Sequence, residues 1–369
     1  MCSLLTMSLL SQSALLARPA FGRRVAAPPP PPPLSPIEQQ GHRAAAAAWL
    51  ALVPPCLSVP KPITQELFGL DTTTFESNLR EPAAGFIEIT SPLFTLESGL
   101  LLALASSSLA LSDEDRARAG AAIGLSSVGT LATLGLAAAQ GLEVTNGPIV
   151  AAFVGLLILT ASFGAKAAGA VEDPVALFKE DFDSLVDFGG DEEVSPNSQA
   201  AQLGFFYQSS VLVGLVVGAS FLFSPISPIS VFEAEAPVTH MLRQDLGVFI
   251  VFLLAPIQAA LTRATSAGAL GESTFRALNL LTGVACFLLV CDGKAQTDLG
   301  AATFAALEPG TEFYSTVSEL VGDPAVIGRS VTNTNAAFTT GFAVASVYVF
   351  QAIFGKSRDE ITARKAGRR

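Results

Sequence analysis

The sequence has little charge and almost no histidine. Only 14% of its 369 residues are Asp, Glu, Lys or Arg, whereas 50% are hydrophobic and the mean hydropathy is +0.51. Soluble domains carry about a quarter charged residues, so the composition favours a membrane protein. The two histidines, His42 and His240, are too few for a multi-histidine metal or haem site, and the four cysteines form no CxxC pair. We therefore expect no metal site and no cofactor.

The net charge and the absence of catalytic motifs argue against two further classes of protein, nucleic-acid-binding proteins and enzymes. A formal net charge of -11 disfavours nucleic-acid binding, which requires clustered Lys and Arg. The sequence contains no HExxH motif, no Walker loop, no GxSxG motif and no GxGxxG followed by a suitably spaced acid. The prediction is that the protein is not an enzyme. A membrane enzyme acting on lipid or isoprenoid is the least favoured class, because no acid/base cluster is evident.

Long uncharged runs are the main feature that is present. Residues 194–232 contain no Asp, Glu, Lys or Arg, and residues 203–223 alone are long enough to cross a hydrocarbon core of about 30 Å as a helix. We predict an all-α, polytopic transmembrane helical bundle with about seven spans. The spans are residues 89–111, 119–142, 144–165, 203–223, 246–262, 277–291 and 330–355.

The region before the first span divides into two segments. Residues 1–43 lack acids until Glu38 and include the prolines of residues 28–33, which indicates a targeting presequence with a polyproline spacer. The interpretation is a plastid presequence, with a mitochondrial one as the alternative. Residues 44–88 form an N-terminal mature segment. It starts with a short apolar stretch, predicted to be interfacial or re-entrant rather than an extra span, and continues as a loop.

Charges outside the spans predict the orientation. The basic tail, residues 356–369, should stay on the insertion side, which places the C-terminus in the stroma for a protein of the thylakoid or envelope membrane; the mitochondrial inner membrane is the alternative. Residues 172–193 are predicted to form an acidic amphipathic helix that lies against the bundle or, less favoured, docks a basic partner. Residues 293–329 are predicted to be a loop with short helices at 298–307 and 312–321.

A weak internal similarity suggests a repeat. Val-Thr-Asn opens both the third and the seventh span, and both spans close on Phe-Gly shortly before Lys. These matches predict a 3+1+3 arrangement, in which two parallel three-span copies are joined by the fourth span. Some membrane transporters are built from parallel repeats of this kind.

Polar residues within the spans are the candidate pathway residues for a substrate or an ion. An ionisable group in a membrane span is a functional candidate because exposing it to lipid is costly. The alternative for Glu97 is a place at the interface, if its helix effectively starts near Ser98. Pro256 should also kink the fifth span near Phe252. The candidates are Glu97, Pro256, Gln258, Asn279, Asp292 and Lys294.

Small residues spaced four apart indicate helix packing faces. Such faces bring helices of one chain together, or they bind a second copy or a membrane-complex partner. The partners we expect are therefore the lipid bilayer and such a protein. The residues are Gly120, Gly124, Ser210, Gly214 and Gly218.

Two functional hypotheses follow. A small-solute transporter or channel in an organellar, plastid membrane agrees with the repeat, with Pro256 and with the small-residue faces. A non-catalytic assembly or scaffold subunit of a thylakoid membrane complex agrees with the scarcity of charge in the spans and with the acidic segment at 172–193. The balance of these features favours transport.

Overall fold

A computed structural model describes residues 18–19, 34–58, 82–105, 112–141, 147–173, 175–177, 179, 181, 189–190, 199–223, 237–305 and 324–356. Its helices are α1 (Pro36–Ser58), α2 (Pro82–Ala105), α3 (Asp113–Ala139), α4 (Gly147–Ala168), α5 (Gln199–Phe223), α6 (Pro237–Val248), a π-helical segment (Phe249–Leu254), α7 (Ala255–Ala267), α8 (Ser273–Ala305) and α9 (Pro324–Phe354). Two short strands, β1 (Arg18–Pro19) and β2 (Gly189–Gly190), pair in parallel. These ranges are otherwise helical or turn.

Five helices of the described ranges are long and apolar enough to cross a membrane, which supports the predicted membrane protein. They are Asp113–Ala139, Gly147–Ala168, Gln202–Phe223, Gln244–Ala267 and Ser273–Cys291. Two shorter apolar helices, Ser91–Ala105 and Phe338–Phe354, fall on the first and seventh predicted spans. The count of seven spans and the 3+1+3 repeat remain predictions.

Helix ends carry the expected capping residues. At the start of α1 the Glu38 amide donates to Ser35 Oγ (3.3 Å), while the Ser35 amide donates to Glu38 Oε2 (3.0 Å). This reciprocal pair is a capping box, with Pro36 in the first helical position. Ser112 caps α3 by accepting from the Asp115 amide, and α7 ends at Gly268 with a left-handed φ of 70°.

The bundle has a largely apolar core that includes several polar side chains, and many apolar side chains are exposed on its outside. α2 lies at its centre, in contact with α1, α3, α6, the π segment and α8. Every side chain of α2 from Ser91 to Leu101 is buried, including Glu97, whereas many large apolar side chains on α3, α4, α5 and α9 are exposed. Examples of the exposed group are Leu136, Ile158, Val216, Phe223 and Ile353. Exposed apolar surface of this kind is suited to lipid contact.

Glycine permits the closest helix crossing, between α3 and α4. A Cβ added at Gly120 would stand 2.7 Å from the Gly164 carbonyl oxygen, and one added at Gly164 would stand 2.8 Å from the Gly124 Cα. Backbones this close leave no room for a side chain. The predicted packing face of Gly120 and Gly124 therefore contacts a helix of the same chain.

The second predicted packing face contacts the α6–π region. A Cβ at Gly218 would meet the Val251 side chain at 2.6 Å, and one at Gly214 would lie in ordinary contact with Ile250 and Gln258. Ser210 donates to the Phe206 carbonyl of its own helix. In the described part of the chain these small residues join helices of one protein, and their use by a partner remains a prediction.

Pro256 is preceded by a π-helical segment within the fifth predicted span. Residues Phe249–Leu254 are π-helical, and the Ala255 amide bonds to the Ile250 carbonyl, five residues back. Since Pro256 has no amide hydrogen, the chain widens by one residue immediately before it. Phe252, where the sequence predicted a kink, lies within this segment.

Several boundaries differ from the prediction. α1 includes Pro54 and Pro55, so residues 44–58 of the apolar stretch belong to a helix that starts at Pro36, inside the predicted presequence. α8 runs to Ala305, so residues 298–305 continue the helix of the sixth span rather than forming a separate helix. Of the predicted helix at 172–193, residues 175–177, 179 and 181 are helical, and its apolar positions 178, 182 and 185 lie outside the described residues. The region 312–321 and most of the tail also lie outside them.

Candidate functional site

Two carboxyl groups are buried at the junction of α2, α3 and α6. Glu97 on α2 is 0% exposed and Asp245 on α6 is 4% exposed. The two groups are close enough to interact electrostatically. Among the described residues neither forms an ion pair with Arg, Lys or His. We call Glu97 and Asp245 the carboxyl pair.

Hydroxyl groups on α3 surround the carboxyl pair. The Thr130 hydroxyl donates to Asp245 Oδ1 at 2.8 Å, and the Ser127 hydroxyl donates to Glu97 Oε1 at 3.3 Å. Ser126 is 0% exposed and approaches the Glu97 carboxyl without reaching hydrogen-bond geometry. Glu97 Oε2 and Ser126 Oγ are both left without a hydrogen-bond partner in the part of the chain that is described. Such buried polar atoms are rare and need an explanation.

A second group of charges lies nearer the start of α3. Asp181 accepts from Arg118 Nε at 2.9 Å and pairs with Arg263 Nη1 at 2.8 Å. Asp115 pairs with Arg263 at 3.4 Å and with Arg118 at 3.8 Å. We call these four residues the ionic network. It ties α3 and α7 to the segment between α4 and α5, so part of the acidic stretch at 172–193 is engaged within the chain.

A small cavity adjoins the ionic network. Its volume is about 20 Å³, enough for roughly one water molecule. Asp115 and Arg118 line it at the start of α3, and apolar side chains such as Leu100, Ala122 and Ile257 form the rest of its wall. Leu100 and Ala122 are about one turn from Glu97 and Ser126 on their helices. From Arg118 to Ser126 the rise along α3 is about 12 Å.

A third polar group, between α5, α7, α8 and α9, is neutral. The Tyr207 hydroxyl donates to Asn279 Oδ1 at 2.7 Å, and Gln258 Nε2 donates to the Tyr348 hydroxyl at 3.0 Å. The two tyrosine rings lie 5.6 Å apart. Asn279 Nδ2 donates to the Phe275 carbonyl, whereas Gln258 Oε1 has no partner among the described residues. We call these four residues the tyrosine–amide cluster.

The start of α1 is held to the end of α4. Glu38 forms an ion pair with Lys166, and the His42 ring stacks on Phe163 with centroids 4.6 Å apart. Hydrogen bonds from Lys166 and Ser35 lower the pKa of Glu38 to about 2. Burial lowers the pKa of His42 because the charged imidazolium loses hydration there.

The structure places the predicted pathway residues in several separate parts of the bundle. Glu97 is the sixteenth residue of α2, in the interior of a helix that starts at Pro82 rather than near Ser98. Gln258 and Asn279 belong to the tyrosine–amide cluster, and Pro256 follows the π segment and lines the cavity. Lys294 lies on α8 with its ammonium 5.9 Å from the Phe338 ring centre. Asp292 lies on the same helix, and its side chain is outside the described residues. A pathway role for any of them remains a prediction.

Sequence reasoning missed Asp245 and the three hydroxyl residues. Asp245 immediately precedes the predicted fifth span at 246–262, so the prediction does not include it among the charges within the spans. It is in fact the ninth residue of α6. The available signals were an acid adjoining a span and the pattern Ser126, Ser127, Thr130, which places hydroxyls on neighbouring positions of one helix face.

Comparison with protein-family models, with curated proteins and with solved structures finds no match for this chain.

Proposed function

We propose that the protein is a multi-pass membrane transporter that moves a small solute and carries a cation on the carboxyl pair during its cycle. The observation that supports this is the burial of Glu97 and Asp245 together, without an ion-paired basic residue in the described chain. Two negative charges inside a dry bundle are strongly unfavourable unless a cation or a proton compensates them. In transporters and pumps, such intramembrane acids commonly bind the coupling ion.

The position of the carboxyl pair relative to the ionic network supports the same function. The ionic network lies near the start of α3, and the small cavity that Asp115 and Arg118 line reaches Leu100, about one turn from Glu97 along α2. Alternating access requires a site that is closed on one side by contacts that can open. Salt bridges between three chain segments are contacts of this type, because separating the segments returns each charge to water.

Transport is tested with the purified full chain in proteoliposomes on a solid-supported membrane. Capacitive currents are recorded on rapid exchange to amino acids, sugars, dicarboxylates or inorganic ions in turn. We expect at least one class to give a current, and we expect Glu97→Gln to reduce it more than tenfold while protein accumulates normally. Asp113→Asn, at the first position of α3, is the matched control and should keep the current. Absence of current with every class, or an unchanged current in Glu97→Gln, would contradict transport.

A non-catalytic scaffold subunit is the competing function. Its predicted docking features are partly used within the chain, since Gly120 and Gly124 contact α4 and Asp181 binds two arginines. Native electrophoresis of gently solubilised membranes, with mass spectrometry of the band, distinguishes the two functions. A small band containing only this chain supports an autonomous transporter. Stable co-migration with a larger membrane complex would support the scaffold instead.

The proposed location is a plastid membrane, with the C-terminus on the stromal side; the mitochondrial inner membrane is the alternative. The acid-free start of the sequence and its basic end support this proposal. Microscopy of the full chain fused to a fluorescent protein, followed by protease protection of the tag in isolated organelles, tests both parts. A tag that is digested in intact thylakoids and shielded in intact plastids agrees with the proposal.

A further inference from the structure

The carboxyl pair has an unequal supply of hydrogen bonds. Asp245 accepts a short bond from Thr130 at 2.8 Å. Glu97 accepts only the longer bond from Ser127, at 3.3 Å, and its second oxygen has no partner within the described chain. Glu97 Oε2 is therefore the oxygen of the carboxyl pair that is free to accept a further ligand.

A hydroxyl oxygen next to this carboxyl lacks a partner as well. Ser126 is completely buried, approaches Glu97, and makes no hydrogen bond to the described residues. A serine hydroxyl in a helix commonly donates to a carbonyl of the preceding turn, as the buried Ser98 and the half-buried Ser210 do in this bundle. Ser126 does not, so its oxygen, like Glu97 Oε2, is a buried oxygen ligand without a partner among the described residues.

Resting on the proposed function, we propose that Glu97 Oε2 and Ser126 Oγ bind a sodium ion, with Ser127 and Asp245 completing the oxygen-lined site. Carboxylate and hydroxyl oxygens are hard ligands of the kind that hard cations prefer. The ion neutralises Glu97, while Thr130 stabilises the charge of Asp245. Sodium is thereby the coupling ion of the proposed transport cycle.

The number of ligands favours sodium over divalent ions. Calcium takes six to eight oxygens, and magnesium keeps several of its water molecules. The five side chains of the site, Glu97, Asp245, Ser126, Ser127 and Thr130, are all buried, and two of their hydroxyls are already committed to carboxyl oxygens. A monovalent ion needs fewer oxygen ligands than calcium and less negative charge than either divalent ion, and sodium gives up its water molecules more readily than magnesium.

Sodium binding is measured by thermal unfolding of the purified full chain in detergent micelles. Trp49, the only tryptophan, is fully buried and donates to Thr160 Oγ1 at 2.8 Å, so its fluorescence reports unfolding. Sodium chloride is compared with potassium, choline and calcium chloride at equal ionic strength. We expect sodium to raise the unfolding temperature by about 5 °C over choline at a concentration near 100 times Kd. Potassium and calcium should raise it by less than half as much.

Two variants assign the effect to the site. Glu97→Gln should remove the sodium-dependent shift, and Ser126→Ala should reduce it by at least half. In choline, Ser126→Ala should unfold at the same or a higher temperature, because it deletes a buried hydroxyl that has no partner. Asp113→Asn is the matched control and should keep the full shift. A hydroxyl that merely held the fold together would lower the unfolding temperature in choline, and this outcome overturns the assignment.

Three further outcomes would contradict the proposed sodium site. An equal shift with potassium, a shift with calcium alone, or a sodium shift retained in both variants would each overturn the sodium site. The result is separable from the transport proposal. Sodium stabilisation without solute-induced current supports the site and contradicts transport, whereas current without any sodium response retains transport and rejects sodium as the ion.

Discussion

Two groups of charged residues lie along α3, one partly buried and the other fully buried, and they are built in opposite ways. In the ionic network, Arg118 and Arg263 face Asp115 and Asp181, and the contacts are as short as 2.8 Å. In the carboxyl pair, two acids lie together without an ion-paired basic residue among those described, and one carboxylate oxygen has no partner. Acidic side chains are balanced by arginines in the ionic network, and they lack such partners about 12 Å further along the helix.

This difference separates a structural role from a binding role. Balanced buried charges hold segments together, since removal of one partner leaves the other charge uncompensated. Unbalanced buried charges destabilise the fold until a cation or a proton binds them. A binding site for such a ligand therefore lowers the stability of the unliganded protein. The ionic network should therefore tolerate substitution poorly, whereas the carboxyl pair should tolerate neutralisation well.

The largest effect is expected for Arg118→Met. The substitution keeps much of the side-chain volume and removes one of the two arginines that Asp115 and Asp181 contact. We expect a loss of about 2–3 kcal/mol in the free energy of unfolding, because Arg118 is buried while Asp115 and Arg263 are partly exposed and screened by solvent. The measurement is denaturant unfolding in mixed micelles, followed by Trp49 fluorescence.

Arg116→Met is the control for this substitution. Arg116 lies two residues away on the same helix and contacts Asp113 at 3.6 Å, an acid that is 48% exposed. A smaller loss, about 1 kcal/mol, is expected, because solvent screens the half-exposed Asp113 carboxylate. Equal losses for both variants would show that charge at the start of α3, rather than the network, determines stability.

Glu97→Gln should have the opposite sign. The amide oxygen still accepts from Ser127, while the uncompensated charge disappears, so in choline chloride the free energy of unfolding should stay unchanged or rise by up to about 1 kcal/mol. Glu114→Gln, at a 61% exposed acid, is the reference for the loss of one negative charge and should change stability by less than about 0.5 kcal/mol. A loss above about 1 kcal/mol in Glu97→Gln would place Glu97 with the structural charges.

The tyrosine–amide cluster provides the neutral reference for this comparison. Asn279→Leu leaves the buried Tyr207 hydroxyl without its acceptor and should cost about 1–3 kcal/mol. Adding Tyr207→Phe removes the unpaired group and should restore most of that loss, which a double-mutant cycle measures. Full solute current in the double variant would make Asn279 a structural residue. A current lost in the double variant despite restored stability would support its predicted pathway role.

Residues of the site that stand out locally can be predicted from the sequence, whereas contacts between residues far apart in the sequence cannot. Glu97 was found because an acid inside a long apolar run stands out in the sequence. Asp245 was missed because the predicted span started one residue later, although helical structure continues back to Pro237. The pairing of Arg118 with Asp181 joins residues 63 positions apart, and no local pattern indicates which acid an arginine will meet.

The fold shows the same limit. Uniform apolar runs located the helices, because the hydrocarbon core of a membrane requires helices with internally satisfied backbones. The start of α1 at Pro36 was available in the sequence as the capping box of Ser35 and Glu38, but a proline-rich, acid-poor context favoured a presequence boundary at residue 43. The position of α2 at the centre of the bundle depends on contacts with several helices, which hydropathy does not encode.

The smallest effect on stability is expected from the titration of His42. A neutral imidazole, unlike the Glu97 carboxylate, needs no compensating charge when it is buried. Burial lowers the pKa of His42 below its ordinary value of 6.5; Glu38 on the same helix opposes this shift, and Lys166 on α4 adds to it. The unfolded chain therefore binds more protons, so stability is complete above about pH 6.5 and falls as the pH decreases below it. The pKa of Glu38, about 2, is too low for its ion pair to titrate in this window.

Hydrogen exchange of the α1 amides tests this pH dependence. As the pH is lowered from 7 to 5.5, exchange should accelerate slightly after correction for intrinsic rates. His42→Phe keeps a ring against Phe163 and should abolish this acceleration, whereas Arg43→Gln should leave it unchanged. Acceleration that persists in His42→Phe would assign the pH response to another group.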